Sequence, residues 1–389
     1  MSNHTVKNIK GIHYESNQTI QIYWEKDKIV RVESIESTEE NLPTLVPGFV
    51  DLQVNGYKGI DFNHNILSRK DWKKVITSLA EVGTTEFFPT FITNSFEQLK
   101  TNFEASEKAL DELNGFASFV GGYHLEGPYL SKENGPRGAH NLKFIRDPNW
   151  DEFLRLQEAA NGKIKLLTLS PEWENSEQFI AKVVNSGVKV GIGHTAANSL
   201  QIERAVAAGA SLSTHLGNGA HVQLPRHPNY LWDQLSEEEL FASVIADGHH
   251  LPKNVLSVFN KVKQEKMFLV SDSVALAGMP PGNYNTAVGG EVTLTNEGKL
   301  HLTKEERILA GSAQNIWQGI QYLVKENICT FSEAINKASI LPRQYISGNS
   351  KNDLTVGTLA NIVLINSKTN VIETTIKDGN IFYRAGDHN

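Results

Sequence analysis

With 389 residues the chain is longer than a single small core requires, which points to one large barrel carrying a small accessory domain. Hydrophobic residues make up 40% of it and charged residues 21%, usage that excludes a disordered or fibrous chain. A formal net charge of −7 argues against a broad surface for nucleic acid or anionic membrane, so an anionic ligand would need a local basic pocket.

Residues 1–17 are polar and lack the apolar core of a secretory signal, and no run approaches the ~20 apolar residues that span a bilayer. The single cysteine, Cys329, can form no intramolecular disulfide and has no metal-ligand spacing around it, which fits a reducing compartment. The expectation is a cytoplasmic protein with no membrane or nucleic-acid partner.

Over residues 5–32 the pattern is short and strand-like. Ile20, Ile22 and Trp24 alternate before the polar Glu25-Lys26-Asp27-Lys28 turn, and Ile29, Val30 and Val32 follow. The same pattern returns near the other end, where residues 361–365 and 371–376 precede the Asp378-Gly379 turn signal and Ile381-Phe382-Tyr383. The two ends are expected to pair as a small β-sandwich domain, 1–46 with 356–389, leaving 47–355 for the catalytic unit.

Between the ends, eight apolar runs of strand length recur at 46–54, 84–91, 116–125, 165–169, 188–192, 210–214, 242–246 and 267–270. Segments with helical periodicity or helix-start signals mostly separate them, as in βα units. Ser68 with Asp71 and Ser95 with Gln98 read as capping boxes, and Pro252 suits a first helical turn. Gly83, Gly187 and Gly209 stand where helices should stop. The fold class expected is α/β, a (β/α)8 TIM-like barrel with the small β domain attached.

In such a barrel the chemistry projects from the C-terminal strand ends. The first run is followed by Asp51-Leu-Gln53-Val-Asn55, the third by His124-Leu-Glu126, the fifth by Gly193-His194, the sixth by His215 and Asn218, the seventh by Asp247-Gly-His249-His250, and the eighth by Ser271-Asp272-Ser273. A lone histidine after a strand is more often structural than a ligand. Glu126, His194 and His215 together, however, give the carboxylate and two imidazoles that leave a fourth position on zinc open for water. Asp272 reads either as a turn or cap residue beside two serines or as the general base for such a water. Gln53 and Asn55 are poor zinc ligands, and they either hydrogen-bond the floor of the site or shape a loop.

These motifs resemble the amidohydrolase superfamily, and within it the N-acetylglucosamine-6-phosphate deacetylases. Pro47-Gly-Phe-Val-Asp51 is similar to that family's first-strand signature. It continues here as Gln53 and Asn55 in place of the His-x-His of many relatives, which implies a single metal per subunit. HLEGP at 124–128, GAHN at 138–141, GHT at 193–195, THLGN at 214–218, ADGHH at 246–250, SDSVALAG at 271–278, LAGS at 309–312 and the Gly357-centred LTVGTLAN follow in order, so the likeness spans nearly the whole chain.

The resemblance implies Zn2+ held by Glu126, His194 and His215, with Asp272 as base and then acid. His140 would polarise the acetamide carbonyl or hold the sugar, unless it is a loop histidine capping backbone groups. Ala139, Asn218, Gly219, Leu309, Ala310 and Gly311 would line the substrate site. Arg226 and His250 would grip the phosphate of a small amino-sugar phosphate, with Arg226 coming from the partner subunit of a homodimer. A guanidinium and an imidazolium suit a phosphate dianion on a chain whose net charge repels it, although Arg226 also reads as a solvated loop residue beside Pro225. The 217–227 loop, GNGAHVQLPRH, departs from the Asn-Ala-Met type segment of better-known relatives and leaves the sugar epimer open. Competing expectations are the galactosamine epimer, another N-acyl amino sugar, or a catalytically silent sugar-binding barrel.

Overall fold

A computed structural model of the protein describes residues 6–64, 66–287, 289–348 and 354–387. Eight parallel strands form the barrel sheet, each hydrogen-bonded to the next in chain order: Phe49–Val54, Thr84–Ile92, Tyr123–Glu126, Ile164–Leu169, Lys189–Ile192, Leu212–Ser213, Phe241–Val244 and Met267–Leu269. Each of the eight apolar runs therefore overlaps a barrel strand. Side-chain and backbone bonds complete the seam between the last strand and the first. Ser271 donates its backbone N–H to Asp51 Oδ1 at 3.1 Å, and Asp272 donates its own to the Gln53 carbonyl at 2.9 Å.

Helix signals act where the sequence placed them. Ser68 caps Arg69–Ala80 in a reciprocal box with Asp71, whereas at Phe96–Asp111 only half of the expected box forms: Ser95 accepts from the Gln98 N–H, while its own N–H bonds Asn94 Oδ1. Pro252 precedes Lys253–Lys263. Gly83, Gly187 and Gly209 adopt φ of +82°, +86° and +104°, values that favour glycine after a helix.

Two strand runs differ from expectation. Residues 116–125 do not form one strand: Ala117–Phe119 is a 3-10 turn and the strand starts at Tyr123. The 46–54 run splits at Gly48. Thr44–Pro47 pairs with Ile362–Ile365 outside the barrel, while Phe49–Val54 enters it. Gly48 allows the close approach at this crossing, because a Cβ there would lie 2.2 Å from Thr85 Oγ1.

The chain ends do meet, in one seven-stranded sheet that joins Lys7–His13, Thr19–Glu25, Lys28–Ser34 and Thr44–Pro47 to Ile362–Ile365, Ile372–Lys377 and Asn380–Arg384. The sheet curls so that its two ends face each other. Buried Trp24 donates its indole N–H to the Gly379 carbonyl at 2.9 Å, and Ile29 donates to the Thr358 carbonyl at the same distance. A four-stranded antiparallel sheet, from Gly282–Thr286 to Glu305–Leu309, is inserted after the eighth barrel strand. It has its own core of Leu276, Val292, Leu294, Leu300 and Ala313. Sequence reading did not anticipate it.

Inside the barrel, polarity rises in layers. Val50, Leu52, Phe88, Leu166, Leu212, Phe268 and Val270 pack with Tyr345 into an apolar floor. Above it His124 Nε2, Thr168 Oγ1 and Thr214 Oγ1 form a buried chain with 2.8 Å links. Burial holds His124 neutral, with its pKa down to about 4. Strand side chains alternate, so Glu126, two residues beyond His124, points into the same interior one layer higher.

Candidate active site

Glu126, His194 and His215 lie at the ends of the third, fifth and sixth barrel strands, far apart in sequence, and the barrel brings them into contact. Glu126 Oε1 is 3.2 Å from His194 Nε2 and 2.9 Å from His215 Nε2, and the two Nε2 atoms are 3.1 Å apart. All three residues are buried. His140 reaches the same cluster from the 131–141 loop, with its Nε2 3.2 Å from His194 Nε2. Ligand atoms of Glu126, His140 and His194 all lie within 4.8 Å of one another.

The donor set fits a divalent cation. Tetrahedral ligands at about 2.0–2.1 Å from zinc stand roughly 3.3 Å from each other, close to the separations found here. The protonation pattern fits as well. His194 Nδ1 lies 2.8 Å from the Pro136 carbonyl, which can only accept, so Nδ1 carries a hydrogen and Nε2 is the ring nitrogen that faces the cluster. Gly138 and Gly219 crowd this ring, and a Cβ on Gly219 would stand 2.6 Å from His194 Nδ1.

Electrostatics couple these groups. Burial alone would raise the Glu126 carboxyl, but hydrogen bonds from His194 and His215 outweigh it and hold it well below the usual range. Burial likewise lowers His215, and the Glu126 carboxylate reverses that and raises it. For His140, desolvation together with the neighbouring His194 outweighs the pull of the Glu126 charge and takes it down to about 3, keeping it neutral.

Asp272 stands at the barrel seam, where burial first and the Glu126 charge second push its carboxyl up to about 6. Asn55 Nδ2 donates to Asp272 Oδ1 at 2.7 Å, and Gln53 Nε2 donates to Glu126 Oε1 at 3.0 Å. The two amides therefore hydrogen-bond the site carboxylates. His194, His215 and Asp272 all have left-handed backbones, at φ of +49°, +31° and +48°. Such conformations cost about 1–3 kcal/mol each and gather at functional sites. Nothing in the local sequence signals them.

The other expected residues are less concentrated. Asn218 folds back, donating N–H and Nδ2 to the His215 carbonyl at 2.9 and 3.2 Å. Ala139 is exposed beside His140. Leu309, Ala310 and Gly311 are half-buried where the inserted sheet returns to the barrel, and Ala310 N–H bonds the Leu300 carbonyl at 3.0 Å. His250 is held by Asp247, named in the ADGHH run without a role. Arg226 is exposed on the 217–227 loop and is not brought to the Glu126 cluster within this chain. No helix among the described residues is long and apolar enough to cross a membrane.

Comparison with known proteins agrees with this geometry. Residues 44–382 match the amidohydrolase family. An N-acetylgalactosamine-6-phosphate deacetylase of Shewanella sp. (strain ANA-3) is 30% identical over 347 residues, 88% of this chain and 84% of that one. The N-acetylglucosamine-6-phosphate deacetylase of Bacillus subtilis (strain 168) is also 30% identical, over 87% of this chain and 84% of that one. Among solved structures, the N-acetylglucosamine-6-phosphate deacetylase of Thermotoga maritima superposes with a TM-score of 0.84 at 26% identity, covering 97% of this chain and 100% of that one. Barrel, buried donor cluster and family match together show that the chain belongs to the amidohydrolase family, in its N-acetylglucosamine-6-phosphate deacetylase branch.

Proposed function

We propose that this enzyme removes the acetyl group from N-acetyl-D-glucosamine 6-phosphate, giving glucosamine 6-phosphate and acetate. The observation that carries the reading is the buried convergence of Glu126, His194 and His215 beside Asp272 at a barrel mouth, on a chain whose relatives are amino-sugar-phosphate deacetylases.

Glu126, His194 and His215 would hold one Zn2+ per subunit. That ion, when bound, supplies Lewis acidity towards water and the acetamide oxygen. Asp272 takes the proton of the attacking water. With its carboxyl raised to about 6 it is ionised near neutral pH, yet basic enough to accept that proton. It then delivers the proton to the sugar nitrogen as the C–N bond breaks and acetate departs. His140, neutral in its buried position, donates an N–H to the carbonyl oxygen as negative charge builds there. Ala139, Asn218, Gly219 and the 309–311 segment would line the sugar site, and His250 together with Arg226 of a second copy in a homodimer would bind the phosphate. Residues 47–355 would carry the catalytic barrel, and 1–46 with 356–389 the small domain. The enzyme would work in the cytoplasm, without nucleic-acid or membrane partners.

The galactosamine epimer is a second reading, favoured by the Shewanella relative at the same 30% identity as the Bacillus one. Acetate release from both epimers, each with and without the 6-phosphate and before and after chelation, tests the whole scheme. The expected result is chelator-sensitive release, fastest with the phosphorylated glucosamine derivative. Release indifferent to chelation would overturn the hydrolase mechanism, and a preference for the other epimer would transfer the assignment to it.

A further inference from the structure

The seventh barrel strand, Phe241–Val244, runs into a turn that carries two adjacent histidines with different roles. His249 faces the inserted sheet, with its Nε2 3.2 Å from the Glu297 carbonyl, and Gln314 Nε2 ties the same turn down by donating to the Asp247 carbonyl at 3.2 Å. His250 lies close enough to the Asp272 carboxyl to lower it.

Asp247 controls that second ring. It is buried, and Oδ1 accepts the backbone N–H groups of His249 and His250, both at 2.8 Å. Oδ2 lies 2.6 Å from His250 Nδ1. Burial would raise the Asp247 carboxyl, but the His250 hydrogen bond and charge hold it below its usual value, so it is the ionised form that meets the ring. A carboxylate has no hydrogen to give, so Nδ1 must carry one. If the ring is neutral, its Nε2 is then a bare lone pair, which repels an anion. If it is protonated, Nε2 is a cationic donor of the kind a phosphate accepts from.

We infer that Asp247 is a positioning residue for phosphate recognition, fixing the His250 ring through Nδ1 so that it meets the phosphate of the substrate as an imidazolium with Nε2–H as the donor. This rests on the proposed role of His250 in gripping the phosphate. The simpler alternative is that Asp247 only shapes its turn, since a side-chain oxygen accepting the next N–H groups is an ordinary turn device.

Asp247→Asn separates the two roles. Its Oδ1 can keep both backbone bonds and so the turn, while Nδ2 now donates to Nδ1. The ring is then neutral, with its hydrogen on Nε2, so the donor survives and the charge is lost. Charge-assisted bonds are about twice as strong as neutral ones. The ratio of kcat/KM with the 6-phosphorylated N-acetyl sugar to that with the unphosphorylated sugar should fall roughly tenfold, mostly through KM, and inorganic phosphate should inhibit correspondingly less. A ratio within twofold of wild type, or an equal loss on both substrates, would reduce Asp247 to a turn residue. If Asp247→Asn does not fold, Asp247→Ser, whose hydroxyl accepts the same N–H groups without charge, takes its place. His250→Gln is measured in parallel. A phosphate-selective loss there but not in Asp247→Asn overturns this inference and leaves the phosphate reading intact, whereas no selective loss in His250→Gln overturns that reading and this inference with it.

Discussion

Asn55 and Asp272, 217 positions apart in sequence, are joined by a 2.7 Å hydrogen bond from the amide Nδ2 to the carboxylate Oδ1 across the seam where the barrel closes. The bond occupies one oxygen and leaves the other to exchange a proton. It also favours the ionised form, opposing the burial that lifts this carboxyl to about 6. Asn55→Ala should therefore lower kcat by about tenfold and shift the acidic limb of the kcat/KM profile to higher pH, because a donor to the charged form has been removed. An acidic limb that stays in place or moves down would contradict this role.

Asp272 itself should be far more sensitive. Replacing it with Asn keeps the size and removes the proton acceptor, so kcat should fall by about 10²–10⁴, while metal analysis still finds the cation. Near-normal turnover with the metal retained would refute the assignment of the base.

Metal content follows from the cluster. Purified protein is expected to hold about one divalent ion per chain. Chelation should abolish acetate release, zinc should restore it, and His215→Ala should lose both metal and activity. Two equivalents per chain, measured by atomic absorption, would contradict the single-metal reading of Gln53 and Asn55.

Gly219 tests the packing around His194. A Cβ there would lie 2.6 Å from His194 Nδ1, on a backbone at φ +57°, so Gly219→Ala must displace either the ring or the loop. A drop of about 10–100-fold in metal affinity is expected, as for other groups that orient a ligand. Gly115→Ala is the control. Its φ is +80° but nothing lies within 4 Å, so backbone strain of about 1–2 kcal/mol should be its whole effect. Equal metal affinity in the two variants would rule out ring displacement.

Asp51 makes stability depend on pH. Burial raises its carboxyl from 3.8 to about 7 in the folded chain. Above pH 4 the unfolded chain releases this proton while the folded chain keeps it, so the folded state binds more protons and stability falls as pH rises. The contribution is fully present below about pH 4 and is lost by the time pH has passed about 7. Asp51→Asn, which still offers an oxygen to the Ser271 N–H, should flatten this slope. Between pH 5 and 8 the metal-stripped variant should lose about 1–3 kcal/mol less stability than wild type in urea unfolding. Parallel slopes would show that Asp51 does not carry the effect.

The eight strands were legible because a strand writes its burial locally, as a short apolar run between turn signals. Helix starts at Ser68 and Ser95 were legible for the same reason, since a cap acts within three residues. The inserted sheet from Gly282 to Leu309 was not, because its strands are short and mostly exposed, with little apolar pattern to read.

The sequence by itself determined which residues stand at the strand ends: a carboxylate at 126, imidazoles at 194 and 215, and a second carboxylate at 272. Only the tertiary structure decided that they touch, because closing the barrel brings the third, fifth, sixth and eighth strands around one axis, and no local pattern encodes that distance. It also decided what the neutral residues do. Gln53 and Asn55 acquire their carboxylate partners, and Asp247 its histidine, only when the folded backbone aims an amide or a carboxylate oxygen at them within hydrogen-bond range.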